Sequence, residues 1–337
     1  MKYLFYIHSH ITNLVAKQIV TEKQLPVVDC LFLLARNYKS DFENSIELPY
    51  THYPVDSFGV EVLFWKNWAK INELDQWVKN KTDNQDYIFY TPQSGFNFFY
   101  LVVNHPKCKG FAYLEEGLCS YLEEKELRNP KKEFWLRDKW YELNYKGRSK
   151  SVKHFYDLKH TKYLGCFGIS EYAFPGLPKK NKLNVPFVVK NSKEHYEHVV
   201  ILGQYVEYGE MTQSTLIKVM DDLFQCLVEK GIKRIHLKFH PVQEEEQSIK
   251  PIKKIIKKYD TQITVDLLGQ NVVLENIAFS TDANFYIVSS SVGIYASIAG
   301  NKVYCLAKKV AALEPVFQKK IDSFPGFFQA ELDYDIC

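Results

Sequence analysis

The sequence predicts an α/β protein made of two Rossmann-like domains that face one another across a cleft. Its 337 residues exceed the usual length of one domain and suit two compact lobes. Short apolar runs alternate with longer stretches of helical periodicity, the pattern of a parallel, doubly wound sheet. A proline- and lysine-rich stretch, Pro178-Lys179-Lys180-Asn181-Lys182, reads as the linker and divides the chain into 1–185 and 186–337.

In the first half, Tyr3 to Ile7 reads as a strand, Thr12 to Lys23 as a helix and Val27 to Ala35 as a second strand. A strand at Tyr87 to Tyr90, a helical aromatic stretch around Phe96 to Val103 and a strand at Gly110 to Leu114 follow. The last runs into Glu115-Glu116-Gly117 and leaves the strand for a helix. From Glu123 to about Tyr163 charges interleave with aromatics, as in Lys131 to Trp140. That composition suits first an amphipathic helical cover with solvated charges, and as the sharper alternative a docking surface for an anionic membrane or a glycolipid acceptor. In the second half Val199 to Leu202 is a buried-type strand ending at Gly203. Leu216, Met220, Leu223, Phe224 and Leu227 then recur at helical spacing, closed by Gly231. Further strands are read at Ile235 to His240, Ile263 to Leu267, Phe285 to Val288 and Val303 to Leu306.

Composition narrows the class. With 46% hydrophobic and 25% charged residues the chain is neither disordered nor fibrous. A net charge of +3 is too mild to imply a nucleic-acid partner. Seven scattered cysteines without a Cys-x-x-Cys pair point to reduced thiols in a cytoplasm, not to zinc or redox chemistry. The N-terminus reads as a first strand, not a signal peptide. No apolar run approaches the roughly 18–20 residues that span a bilayer, so any membrane contact is expected to be peripheral.

Four constellations carry chemistry. Alternation along the strand ending at His240 puts His236, Lys238 and His240 on one face, and Pro241 ends the strand so that the histidine stands at the sheet edge. A cation beside an imidazole suits a phosphate. Ser289-Ser290-Ser291 follow a strand and open a helix, where hydroxyls and free N–H groups meet an anion, or where a serine simply caps. Glu275 opens another helix, placed either to accept from ribose hydroxyls or to favour the helix dipole. Glu115 and Glu116 pair their carboxylates at a strand end, where adjacent carboxylates can raise one another's pKa to make a base that works near neutrality or where they simply form a common acidic helix start, and Gly117 permits a tight turn. A second His-Pro, His105-Pro106, lacks the preceding Lys-x. Asp333-Tyr334-Asp335 imitates a metal motif at the extreme C-terminus. His8, Ser9, His10 and Thr12 form a polar loop that helix capping explains as well as function does.

Taken in order, Glu-Glu-Gly, Lys-x-His-Pro and a serine run after a strand resemble the three short motifs shared by bacterial sialyltransferases and polysialyltransferases, particularly their lipooligosaccharide and capsule branches. Two facing lobes are the architecture called GT-B among glycosyltransferases. The resemblance implies Glu115 as general base, His240 as general acid at the donor phosphate, and Ser290 and Ser291 as phosphate ligands, although which two of the three serines match the motif stays open. It also places Gly203, Lys238, Pro241 and Glu275 among the nucleotide contacts. The implied donor is CMP-sialic acid and the acceptor a glycan or glycolipid. A monophosphate leaving group is served by cationic and neutral donors, so no metal cofactor is expected, and a single inverting displacement follows. Another CMP-nonulosonic acid, pseudaminic or legionaminic, fits the same motifs. A noncatalytic capsule-assembly protein is disfavoured by the presence of both Glu115 and His240.

Overall fold

The computed structural model describes residues 1–51, 55–122, 135–185 and 196–323. The chain divides into two compact units, Met1–Val185 and Pro186–Cys337.

The first unit is built on seven strands: β1 (Lys2–Ile7), β2 (Cys30–Leu34), β3 (Ser45–Glu47), β4 (Tyr87–Thr91), β5 (Cys108–Leu114), β6 (Tyr163–Gly168) and β7 (Lys180–Lys182). They lie in the order β3-β2-β1-β4-β5-β6-β7, every pair parallel. Strands buried on both faces read as continuous apolar runs, which is why Tyr3 to Ile7 shows no alternation. The core is aromatic: Phe5 stacks on Tyr90 at 4.5 Å and on Phe32 at 5.3 Å between ring centroids. Helices α1 (His10–Glu22), α2 (Phe64–Lys81), α3 (Asn97–Val103) and α4 (Trp135–Asn144) belong to this unit. Strand order reverses between β1 and β4, the position at which doubly wound sheets open a crevice beyond their carboxyl ends.

The second unit repeats the plan with β8 (His198–Ile201), β9 (Arg234–Lys238), β10 (Thr264–Leu267), β11 (Asn284–Ile287) and β12 (Lys302–Cys305). The order is β10-β9-β8-β11-β12, again all parallel, with the reversal between β8 and β11. Its helices are α5 (Gln213–Glu229), α6 (Lys250–Lys258), α7 (Leu274–Ser280), α8 (Ser291–Ile298), α9 (Ala307–Leu313) and α10 (Pro315–Asp322). Gly231 leaves α5 with a positive φ of 73°, as its place in the sequence predicts.

Several elements differ from the sequence reading, among them the segment after Gly117, which is a 3-10 turn at Leu118–Tyr121 and not a full helix. Val27–Asp29 is a 3-10 turn, and only Cys30–Leu34 is strand. The linker candidate holds β7, whose three polar residues pair with β6 as an edge strand, and charge on an edge is a common guard against further pairing. β9 stops at Lys238, because the N–H of His240 turns away to Gln243 Oε1 at 2.7 Å. Most of the stretch expected as a charged cover before Trp135, residues 123–134, and the acidic motif at Asp333 lie outside the described residues.

Candidate functional site

In the second unit the expected residues gather at the switch point. In the sheet register Ile201 stands between Lys238 and Ile287, so Gly203, His240 and Ser289 each follow by two residues on adjacent chains. Tyr205, which the sequence reading passed over, joins two of them. Its hydroxyl donates to Ser289 O and accepts from Ser289 N–H at 2.9 Å, holding both main-chain groups of one residue. Gly203 makes this contact feasible, since a Cβ there would lie 2.5 Å from Tyr205 Cζ. The Ser289 hydroxyl is buried beside the Tyr205 phenol. Ser290 caps α8, its Oγ accepting from Val292 N–H at 3.2 Å while its own proton stays available, and Ser291 occupies the half-exposed first helical position.

The His-Pro sequence builds a turn. Gln243 N–H donates to His240 O at 3.0 Å across Pro241, whose fixed φ suits the second position of such a turn. This brings Val242 N–H to 3.3 Å from His240 Nδ1. A ring nitrogen that accepts carries no proton, so the neutral imidazole holds its proton on Nε2. Burial lowers the pKa of His240 and the Glu207 carboxylate pulls it back up. Glu207 accepts from Glu244 N–H at 3.0 Å through Oε1, while its buried Oε2 has no hydrogen-bond partner.

Lys238 has another task than the expected one. Its ammonium donates to Gly269 O at 2.8 Å, Gln270 O at 3.2 Å and Val272 O at 2.6 Å. An ammonium has three protons, and all are used in fastening the loop that leads into α7. Its pKa is lowered by burial and raised by Glu275, the half-exposed first-turn residue of α7. Lys238 therefore frames the position of Glu275 and leaves no proton for a phosphate.

In the first unit the paired carboxylates have opposite surroundings. Gly117, at φ 130° and ψ −147°, reverses the chain into a 3-10 turn that returns Tyr121 to Glu115. The Tyr121 hydroxyl donates to Glu115 Oε1, and Ile169 N–H donates to Oε2 at 2.7 Å. Gly168 leaves room for this, because a Cβ there would stand 2.9 Å from Glu115 Oε2. Glu115 is wholly buried, with 0% exposure, so the residue expected as base is sealed by its own hydrogen bonds. Glu116 faces His8 at the end of β1, with Oε2 3.0 Å from His8 Nε2. Glu116 Oε1 and His8 Nδ1 are both buried and make no hydrogen bond.

The other candidates resolve simply. Ser9 and Thr12 form the capping box of α1, and His10 Nδ1 meets the Tyr38 hydroxyl at 2.9 Å. His105 repeats the local geometry of His240, with Lys107 N–H 3.2 Å from its Nδ1, yet it is packed against the Tyr87 ring. Sequence signals for His8 were present in its place after β1, whereas Tyr205 and Tyr121 act through the main chain or a buried carboxylate and leave no motif.

A family model described as alpha-2,8-polysialyltransferase (POLYST) matches residues 7–297. The chain belongs to the alpha-2,8-polysialyltransferase family. The match runs from the end of β1 into α8 and so includes His8, Glu115, Glu116, His240 and the serine turn. Membership makes the chain a glycosyltransferase of the sialyltransferase type. No curated protein matches the sequence. Among solved structures, UDP-GlcNAc 2-epimerase from Methanocaldococcus jannaschii is similar with TM-score 0.52 and 11% identity, covering 97% of this chain and 93% of that one. A UDP-glucosyltransferase from Polygonum tinctorium gives TM-score 0.47 and 9% identity over 90% of this chain and 80% of that one. The first likeness, with the two parallel α/β units, gives the polysialyltransferase family member its GT-B fold class.

Two outcomes test this geometry. Tyr205→Phe leaves the buried Ser289 N–H unpaired and is expected to cost about 1–3 kcal/mol in urea unfolding, with weaker nucleotide binding by calorimetry. NMR titration of His240 is expected to give a pKa below the ordinary 6.5, and Glu207→Gln, by removing the charge that raises it, to lower it further.

Proposed function

We propose that the chain is an inverting, metal-independent sialyltransferase that moves sialic acid from CMP-sialic acid to a hydroxyl of a glycan or glycolipid of bacterial lipooligosaccharide or capsule. The observation that carries this reading is the His240 turn, whose main-chain contact leaves an Nε2 proton ready for a departing phosphate oxygen. Neutral hydroxyls at Ser289, Ser290 and Ser291 supply the remaining donors for a singly esterified phosphate. Glu275 serves the ribose hydroxyls from the first turn of α7, behind the loop that Lys238 fastens.

The reaction asks for a base at the acceptor as well. In this reading Glu116 takes the acceptor proton on Oε1, while His8 donates from Nε2 to Oε2 and steadies the carboxylate. Glu115 keeps the β5 turn in shape through Tyr121 and Ile169. As the glycosidic bond to CMP lengthens, positive charge grows on the sugar ring and a carboxylate nearby lowers its energy. The acceptor oxygen bonds to the anomeric carbon as its proton passes to Glu116, and CMP leaves with a hydrogen bond or proton from His240.

The test measures CMP release with and without a sialylated acceptor. Glu116→Gln is expected to cut transfer by a factor of about 100–10,000 with CMP affinity retained. His240→Ala should depress transfer and donor hydrolysis together, because both break the same bond. A larger loss of transfer at a folded Glu115→Gln than at Glu116→Gln would return the base to Glu115. Activity is expected to persist in EDTA, since a monophosphate leaving group needs no divalent bridge. Loss in EDTA restored by magnesium or manganese would overturn metal independence.

A further inference from the structure

The turn that Tyr205 holds is itself held from near the end of the chain. The Tyr205 ring is buried, and its hydroxyl grips the main chain of Ser289. A phenol hydroxyl stands at the tip of a long side chain, so any tilt of the ring moves it furthest. What fixes the tilt is α10. Phe317 meets the Tyr205 ring edge-on with centroids 6.1 Å apart, and the Lys320 ammonium lies over the same ring, 5.4 Å from its centroid. A cation at that range is attracted to the electron-rich face of an aromatic ring. Phe317 is buried too, and the ammonium lies 5.7 Å from its centroid, so one charge engages both rings.

The ammonium is anchored in turn. Lys320 donates to Glu210 Oε2, with the lysine side chain 24% and the glutamate 30% exposed, enough burial to spare the pair full screening by salt. Glu210 closes the loop that begins at Tyr205: Glu210 N–H and Met211 N–H both donate to Tyr205 O, at 2.8 and 3.3 Å. The lysine therefore grips one loop twice, by its ring and by its carboxylate. A second anchor lies where α9 meets α10. Glu314 Oε1 accepts from Thr212 N–H at 3.0 Å, Thr212 Oγ1 at 2.6 Å and Thr215 Oγ1 at 2.7 Å, which ties that junction to the N-cap of α5. All of α10 follows residue 297, where the match to the family model ends. We propose that Lys320 is a positioning residue for the donor site: held by Glu210, it sets the Tyr205 ring and, through the hydroxyl, the turn at Ser289. The inference rests on the reading that this turn serves the donor phosphate, and its test separates the two.

Amide hydrogen exchange at Ser289 reads the turn without any nucleotide, and calorimetry with CMP reads the site. Lys320→Met keeps an unbranched stem without the charge. In it Ser289 N–H is expected to exchange faster and CMP affinity to fall about fivefold, with donor KM raised and kcat held. Lys320→Arg supplies a cation both to Glu210 and to the ring, and is expected to return both readouts to the wild-type values. In a Tyr205→Phe background Lys320→Met is expected to cause no further loss of CMP affinity, since the lysine acts through the hydroxyl. Gln318, exposed and bonded to Asp322 along α10, gives the control: Gln318→Gly weakens the helix and is expected to lower the melting temperature with CMP affinity kept. Unchanged Ser289 exchange in Lys320→Met, additive losses in the double variant, or an equal loss of affinity in Gln318→Gly would each overturn the proposal. Faster Ser289 exchange in Lys320→Met, in a protein whose wild type binds no CMP, would support the brace and overturn the donor reading instead.

Discussion

Parallel pairing is the constraint from which the rest of the molecule follows. Every strand in both sheets runs the same way as its neighbours, so within each unit all the carboxyl ends share one edge. Central parallel strands are covered on both faces by their crossover helices and are largely apolar, while edge strands such as β7 are not. Polar and titratable groups are thereby driven to the loops leaving that edge. His8 follows β1, Glu115 and Glu116 follow β5, Gly203 follows β8, His240 follows β9 and the serine turn follows β11. Chemistry collects where the backbone plan leaves room for it.

Burial then sorts neighbouring groups of the same kind. A carboxylate removed from water is costly unless hydrogen bonds replace the solvent, and Glu115 receives one from a tyrosine and one from the main chain. Having met that cost, it is held. Glu116, one residue on, keeps an oxygen without a partner, as does the ring nitrogen of His8 on the far side of the pair. The same sorting engages every ammonium proton of Lys238 with a carbonyl. Adjacent residues of one motif can thus frame a site or act in it, according to which valences the fold has already filled.

These distinctions set how far the sequence could be read. Apolar periodicity recovers β1, β4, β5, α5 and the strands of the second unit to within a residue or two, because burial on both faces of a sheet writes itself into composition. β7 escaped because a three-residue edge strand of Lys-Asn-Lys has the composition of a loop. His240, Glu275 and the serine run were legible as strand ends and helix starts. What was not legible is which atom of each is engaged. Spacing cannot tell Glu115 from Glu116, or show that Lys238 points into a loop of carbonyls. The preceding Lys-x sets His240 apart from His105 in sequence, but their local turns are alike and their different surroundings are visible only in the tertiary structure.

The grip of Tyr205 on Ser289 has a consequence for how such a site can change. The phenol holds the N–H and the carbonyl of that residue. The course of the turn is therefore insured by a distant ring, not by the identity of the residue that forms it. A substitution at position 289 alters what the turn offers to a ligand without moving the turn, whereas a substitution at 203 or 205 alters the frame itself. The glycine and the tyrosine therefore form one unit, and a change at either is a change to the turn itself.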